Sequence, residues 1–247
     1  MQQGDCPMAS WLPQAARADI ACALRDAREF KHAPTLMYGL TYNSIVNALR
    51  RDIAKAQTDE LVALADEKGA VFWKASGGLV KSWLFVLTGR ASDAITSFSS
   101  AIAMFRSTGA TIFVPLFLSM LGSAFAEVRQ FDQARRCINE AMALAEASGE
   151  RWFDAETYRI AGEVELRSPE RKSASAQRYF EQALGVARAQ QARSCELRAA
   201  TSLARLWRDQ GRRTEARDLL ARVYDWFTEG FDTLDLKEAK ALLEELA

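Results

Sequence analysis

Pairs of small residues spaced by seven recur along this 247-residue chain: Ala16/Ala23, Ala56/Ala63, Ala94/Ala101, Ala134/Ala141, Ala176/Ala183, and Ala216 with Val223. Their first members are separated by 40, 38, 40, 42 and 40 residues. Seven residues are two helical turns, so each pair occupies one stripe of a helix. Small side chains there let a second helix come close. The residue between them is larger (Ile20, Phe98, Ile138, Phe180, Leu220), with Glu60 the polar exception. A short unit that recurs in this way cannot bury its apolar face alone and must stack on its neighbours.

A second marker precedes each of these helices. Ser44, Ser82, Gly122 and Ala204 lie twelve residues before the first alanine of their unit, and Gly162 lies fourteen before Ala176. The two extra residues fall near Pro169, where a loop absorbs length at little cost. Gly69, Gly109 and Gly149 close successive units and Gly89 and Gly211 mark turns inside units, positions suited to a helix end in the left-handed conformation. No stretch alternates with period two, so no sheet is expected.

The chain therefore reads as a ladder of helical hairpins, 34–67, 71–107, 111–148, 151–190 and 193–229, within one repeat domain spanning 14–247. A lone second helix at 14–29 leads it, after a flexible segment 1–13. A capping helix at 233–246 closes it. The cap carries Leu236, Ala239, Leu242, Leu243 and Leu246 on one side, with Asp232 or Thr233 as N-cap, and six acidic residues from Glu229 to Glu245 make its outer face polar.

These markers resemble the tetratricopeptide (TPR) repeat: a small eighth residue, alanines at the twentieth and twenty-seventh, and a bulky residue between. The resemblance implies an all-α, right-handed α-solenoid over about 14–229. A more specific resemblance lies in Glu196–Arg212 (ELRAATSLARLWRDQGR), Tyr224–Asp232 (YDWFTEGFD), Asp235–Lys240 (DLKEAK) and Gly149–Glu156 (GERWFDAE). These runs are similar to the C-terminal TPR tail of bacterial signalling proteins that join a class III adenylate/guanylate cyclase domain to a P-loop ATPase module. None of the cyclase or ATPase motifs is present. No G-x-x-x-x-G-K-[ST] phosphate loop occurs, and no metal-binding aspartate pair sits in a βαβ setting. The resemblance implies a non-enzymatic part with no cofactor: a separated or truncated tail, or a separately encoded relative. The rival reading is cyclase or ATP-binding activity credited through family membership.

Composition narrows the partners. Thirty-two basic residues balance 32 acidic ones, so no global field draws nucleic acid or anionic membrane. Four scattered cysteines without a C-x-x-C pair, and no leader in Met1–Cys6, suit a reducing cytoplasm without structural zinc. The single histidine, His32, argues against His-based metal or acid–base chemistry. Residues 107–126 carry no charge over twenty positions, but their glycines, serines and Pro115 favour a buried helix after a turn over a membrane span.

Candidate chemistry is sparse. The carboxylate pairs Glu163/Glu165 and Glu244/Glu245 read as solvated helix faces. Cys195 opens a helix whose dipole would favour a thiolate, but it has no histidine partner. Trp11, Trp73, Trp83, Trp152, Trp207 and Trp226 read as core or junction residues rather than a ligand cage. The segment 193–222 holds eight arginines against four acids, with acidic ion-pair partners just beyond it. By the TPR resemblance, first helices line a concave face through Tyr38, Thr41, Ile45, Leu79, Trp83, Val86, Ser119, Ser123, Glu156, Arg159, Glu163, Arg198, Thr201, Arg205 and Arg208. The expected partner-binding residues are Tyr38, Trp83, Glu156, Arg159, Glu163, Arg198, Arg205 and Arg208, on a groove apolar at one end and arginine-rich at the other. The arginines suit a protein or peptide carboxylate, or else they pair with adjacent acids and bind nothing.

Overall fold

The computed structural model describes residues 13–51 and 55–247, and they are all-α. Twelve helices run in order among them: α1 (Pro13–Glu29), α2 (Ala33–Leu49), α3 (Lys55–Glu67), α4 (Val71–Leu87), α5 (Ala91–Ser107) and α6 (Val114–Glu127). They continue with α7 (Phe131–Ser148), α8 (Asp154–Arg167), α9 (Ser173–Ala189), α10 (Arg193–Asp209), α11 (Arg213–Tyr224) and α12 (Leu234–Leu246). The segment 1–12 lies outside the described residues.

The chain divides into two compact units, one formed by Arg17–Cys137 and the other built on Ile138–Ala247. Within the first, α2, α4 and α6 pack side by side as the first helices of their hairpins, and α3 and α5 join them as the second. Within the other, α8, α10 and α12 form the corresponding row, with α9 and α11 behind. Packing between a helix and the next but one along the chain makes these stacked repeats rather than isolated hairpins.

The sequence markers fall where close approach requires them. Ala94, Phe98, Ala134, Ala141, Ala176, Phe180, Ala183, Ala216 and Leu220 are wholly enclosed. Gly162 in α8 shows the reason for a small residue most directly. A Cβ there would lie 2.4 Å from Phe180 Cε1 on α9, nearer than real Cβ atoms approach.

The two N-terminal pairs behave differently. Ala23, Ala56 and Ala63 are exposed. Among the described side chains of α1, Leu24 and Ala27 are buried, and in α3 Thr58, Leu61 and Ala65 are. The true stripe of α3 is thus Thr58–Leu61–Ala65, two residues later than the alanine spacing suggests. Five residues, 50–54, separate α2 from α3, as 168–172 separate α8 from α9, whereas three (88–90, 128–130, 210–212) suffice in the other hairpins. Ser44 therefore stands fourteen residues before Thr58, as Gly162 does before Ala176. Glu60 then faces outward and pairs with Arg28 at 2.7 Å.

The apolar run 107–126 is interrupted between helices. Thr108 caps α5, Gly109 follows at φ 80°, and Pro115 sits in the first turn of α6. Among the described residues no helix is long and apolar enough to cross a membrane. At the other end Thr233 takes the N-cap of α12, and Leu236, Ala239, Leu242 and Leu246 are buried against α10 and α11.

Candidate interaction face

In the N-terminal unit the row of first helices opens an aromatic cleft of about 100 Å³. Tyr38, Thr41, Tyr42 and Ile45 follow the i, i+3, i+4, i+7 spacing of one helical stripe on α2. Phe72, Trp73 and Ser76 come from α4, Phe105 from α5 and Phe117 from α6, while Ile112 and Phe113 come from the α5–α6 link. The rings lock one another. Tyr38 and Tyr42 lie 4.4 Å apart between centroids, Trp73 stands edge-on to Tyr38 at 6.3 Å, and Phe113 stands edge-on to Tyr42 at 5.8 Å. Phe113 is held left-handed at φ 64°, a conformation that costs a bulky residue about 1 kcal/mol, and it precedes the first turn of α6. Tyr38 remains 54% exposed and Ile112 45%. Sequence reasoning chose Tyr38 but passed over Tyr42, Phe72 and Phe113. Their signal is the clustering of aromatic residues at the starts of successive first helices.

Trp83, expected on the groove, is 3% exposed and belongs to the core of the same unit. Thr41, Ile45, Leu79 and Ser119 are likewise buried.

The charged positions lie in the C-terminal unit, where α8, α10 and α12 bring them together. Arg159 Nη2 donates to Glu156 Oε1 at 2.7 Å, and Arg198 Nη1 approaches the same oxygen at 3.4 Å. Arg198 Nε reaches Asp235 of α12 at 3.1 Å. Glu163 accepts from Ser202 at 2.8 Å and lies 3.6 Å from Arg159. Further along, Arg205 pairs with Glu238 at 3.0 Å and Arg208 with Glu245 at 2.9 Å. Arg213 donates to the carbonyl of Glu245. Each arginine expected to face a partner therefore meets a carboxylate of its own chain, three of them on the capping helix.

Electrostatics follow from this enclosure. Burial drives the Glu156 carboxyl up, and the charges of Arg159 and Arg198 outweigh it, holding the group at about 2. Burial drives Arg159 and Arg198 down, and Glu156 reverses this, so both are raised and stay charged. Desolvation pushes the Cys195 thiol up to about 11, against the neighbouring Arg198 charge. The helix start therefore does not produce a thiolate at neutral pH. No group of three or more metal-ligating side chains occurs among the described residues.

The fold and the face define a class: an all-α protein of stacked, TPR-like helical hairpins. No protein-family model matches the chain, and no curated protein matches it. Among solved structures the chain is similar to BtubC (BKLC) from P. vanneervenii, with a TM-score of 0.58 at 16% identity over 95% of this chain and 89% of that one. It is also similar to the kinesin light chain nearly identical TPR-like repeats from Podosopora anserina, with a TM-score of 0.49 at 13% identity over 84% of this chain and 93% of that one. At such identities the likeness to BtubC concerns the fold alone.

Proposed function

We propose that this chain is a non-catalytic protein-interaction module that holds a peptide segment of a protein partner in the aromatic cleft of its N-terminal unit. One observation carries the reading: a row of first helices leaves a cleft of locked rings open beside exposed Tyr38 and Ile112. Rigid aromatic side chains offer large contact area at low entropic cost, and they dominate binding hot spots. Arg198, Arg205 and Arg208 have internal carboxylate partners, so their role is to fasten the cap rather than to receive a guest.

The resemblance of Glu196–Arg212 and its companion runs to cyclase–ATPase tails supports a finer reading. On it the chain is the regulatory tail, or a separated relative, of such a bacterial signalling protein, and works in the cytoplasm on a protein rather than a nucleic acid. Incubation of the full chain with ATP or GTP should yield no cyclic nucleotide and no released phosphate. Turnover by the purified chain would overturn the non-catalytic reading.

Peptides selected on the full chain from a random displayed library test the cleft. Tyr38→Ala and Ile112→Asp should each weaken the selected peptides more than tenfold, while Arg205→Ala and Arg208→Ala leave them within twofold. The opposite pattern would move the site to the arginine row.

A further inference from the structure

A second cavity of the N-terminal unit, about 560 Å³, differs from the aromatic cleft in its chemistry. Lys55, Thr58 and Asp59 line it from α3, Lys81, Leu84 and Phe85 from α4, and Thr88 and Arg90 from the α4–α5 link. Its size falls in the range of about 300–1,000 Å³ that small ligands occupy. Three cations there meet the single carboxylate of Asp59, a local surplus of two positive charges in a chain whose formal charge is zero. Lys55, Lys81 and Arg90 are all exposed, so this charge is open to solvent. Neither lysine has an ion-pair partner among the described residues, although Asp59 follows Lys55 by one helical turn. Arg90 is fixed from two sides. Its guanidinium lies 4.5 Å over the Phe85 ring, and Nε and Nη2 both reach Asp93 Oδ2 at 2.7 Å, which leaves the Nη1 donors unused among the described residues. The Thr88 hydroxyl is spent on the Leu84 carbonyl at 2.8 Å, so the ammonium and guanidinium groups are the donors a ligand would meet from the rim.

We propose that this cavity is a binding site for a phosphate monoester. Such a group carries about −1.5 to −2 charge at neutral pH, which matches the surplus, whereas a carboxylate meets only half of it. Its three terminal oxygens accept from donors on separate walls, where a flat carboxylate offers two. Leu84 and Phe85 give the organic part of the ester carbon surface to cover. Asp59 opposes the ligand, so its charge supplies a test of sign. The site is separate from the aromatic cleft, and neither reading depends on the other.

Phenyl phosphate, titrated calorimetrically into the full chain at low ionic strength, will bind at least fivefold more tightly than benzoate, which has the same ring and one charge. Lys55→Gln, Lys81→Gln and Arg90→Gln will each weaken it about threefold, the scale of one exposed charge contact, and Asp59→Asn will tighten it about twofold. Lys237→Gln, at an exposed position of α12, will leave the affinity unchanged. A phosphoserine pentapeptide that binds more tightly than phenyl phosphate assigns the ligand to a phosphorylated protein segment, and the reverse order assigns it to a free phosphate ester; either order supports the site. Equal affinity for benzoate, weaker binding in Asp59→Asn, or no binding of either phosphate probe at millimolar concentration would overturn the inference. A loss in Lys237→Gln as large as in Lys81→Gln would reduce the binding to diffuse charge attraction and overturn it too.

Discussion

Glu156 is 4% exposed and faces two guanidinium groups, so its charge is both costly and necessary. Its carboxyl sits at about 2 in the fold against an ordinary 4.5. A depressed folded value means that the group stabilises the protein fully above the unfolded value, and that this contribution drains away as pH falls from about 4.5 towards 2. Urea unfolding across pH 2–5 should show that slope, and Glu156→Gln should flatten it. At neutral pH the same substitution leaves Arg159 and Arg198 under-compensated and should cost about 3 kcal/mol. Gly162 poses a steric question instead. Gly162→Ala places a methyl against the Phe180 ring and should cost about 1–3 kcal/mol, whereas Gln133→Leu on an exposed stretch of α7 should change stability by less than about 0.5 kcal/mol. Denaturant midpoints of the two variants measure the contrast.

At the scale of elements, most helix joints share one backbone device. A residue of positive φ follows within two positions of the end of α1 to α7, α9 and α10: Lys31, Arg51, Gly69, Gly89, Gly109, Arg129, Gly149, Gln191 and Gly211. At Gly211 the N–H reaches the Arg208 carbonyl while Arg212 reaches that of Trp207 at 2.8 Å, the paired bonds of a Schellman ending. Gly211→Ala should cost about 1 kcal/mol, read as a shift in denaturant midpoint, because its backbone stands at φ 80°. Sequence alone exposed five of these joints through their glycines. The joints at Lys31, Arg51, Arg129 and Gln191 were invisible, because each has a side chain where a glycine would have marked the turn. The same limit displaced the stripe of α3, where a longer link shifted the helix and coincidental alanines at 56 and 63 hid the change. The cleft was only partly legible for a related reason. Tyr38 follows from repeat position, but rings on α2, α4 and the α5–α6 link meet only in the fold. The arginines and the acidic stretch beyond them were legible, but the individual pairs, 33 to 37 positions apart and reaching α12, are set only by the fold. Leu236→Ala in that helix should cost about 2–5 kcal/mol by the same measure, as a 1% exposed leucine whose neighbours cannot close over the gap.

For the whole molecule, stability in stacked repeats is a sum of local terms rather than one cooperative quantity. The two compact units, Arg17–Cys137 and Ile138–Ala247, should therefore respond separately to damage. Hydrogen exchange on Leu236→Ala should accelerate amides of α10–α12 and leave those of α2–α5 near their original rates; uniform acceleration would mean a single cooperative body. The shared left-handed joints carry a consequence for how such a chain changes length. A forty-codon block copied from one joint to the next, for instance 71–110, rejoins its flanks through a link already present in the protein. The gene can thus gain or shed a whole hairpin in a single recombination event without inventing a new connection.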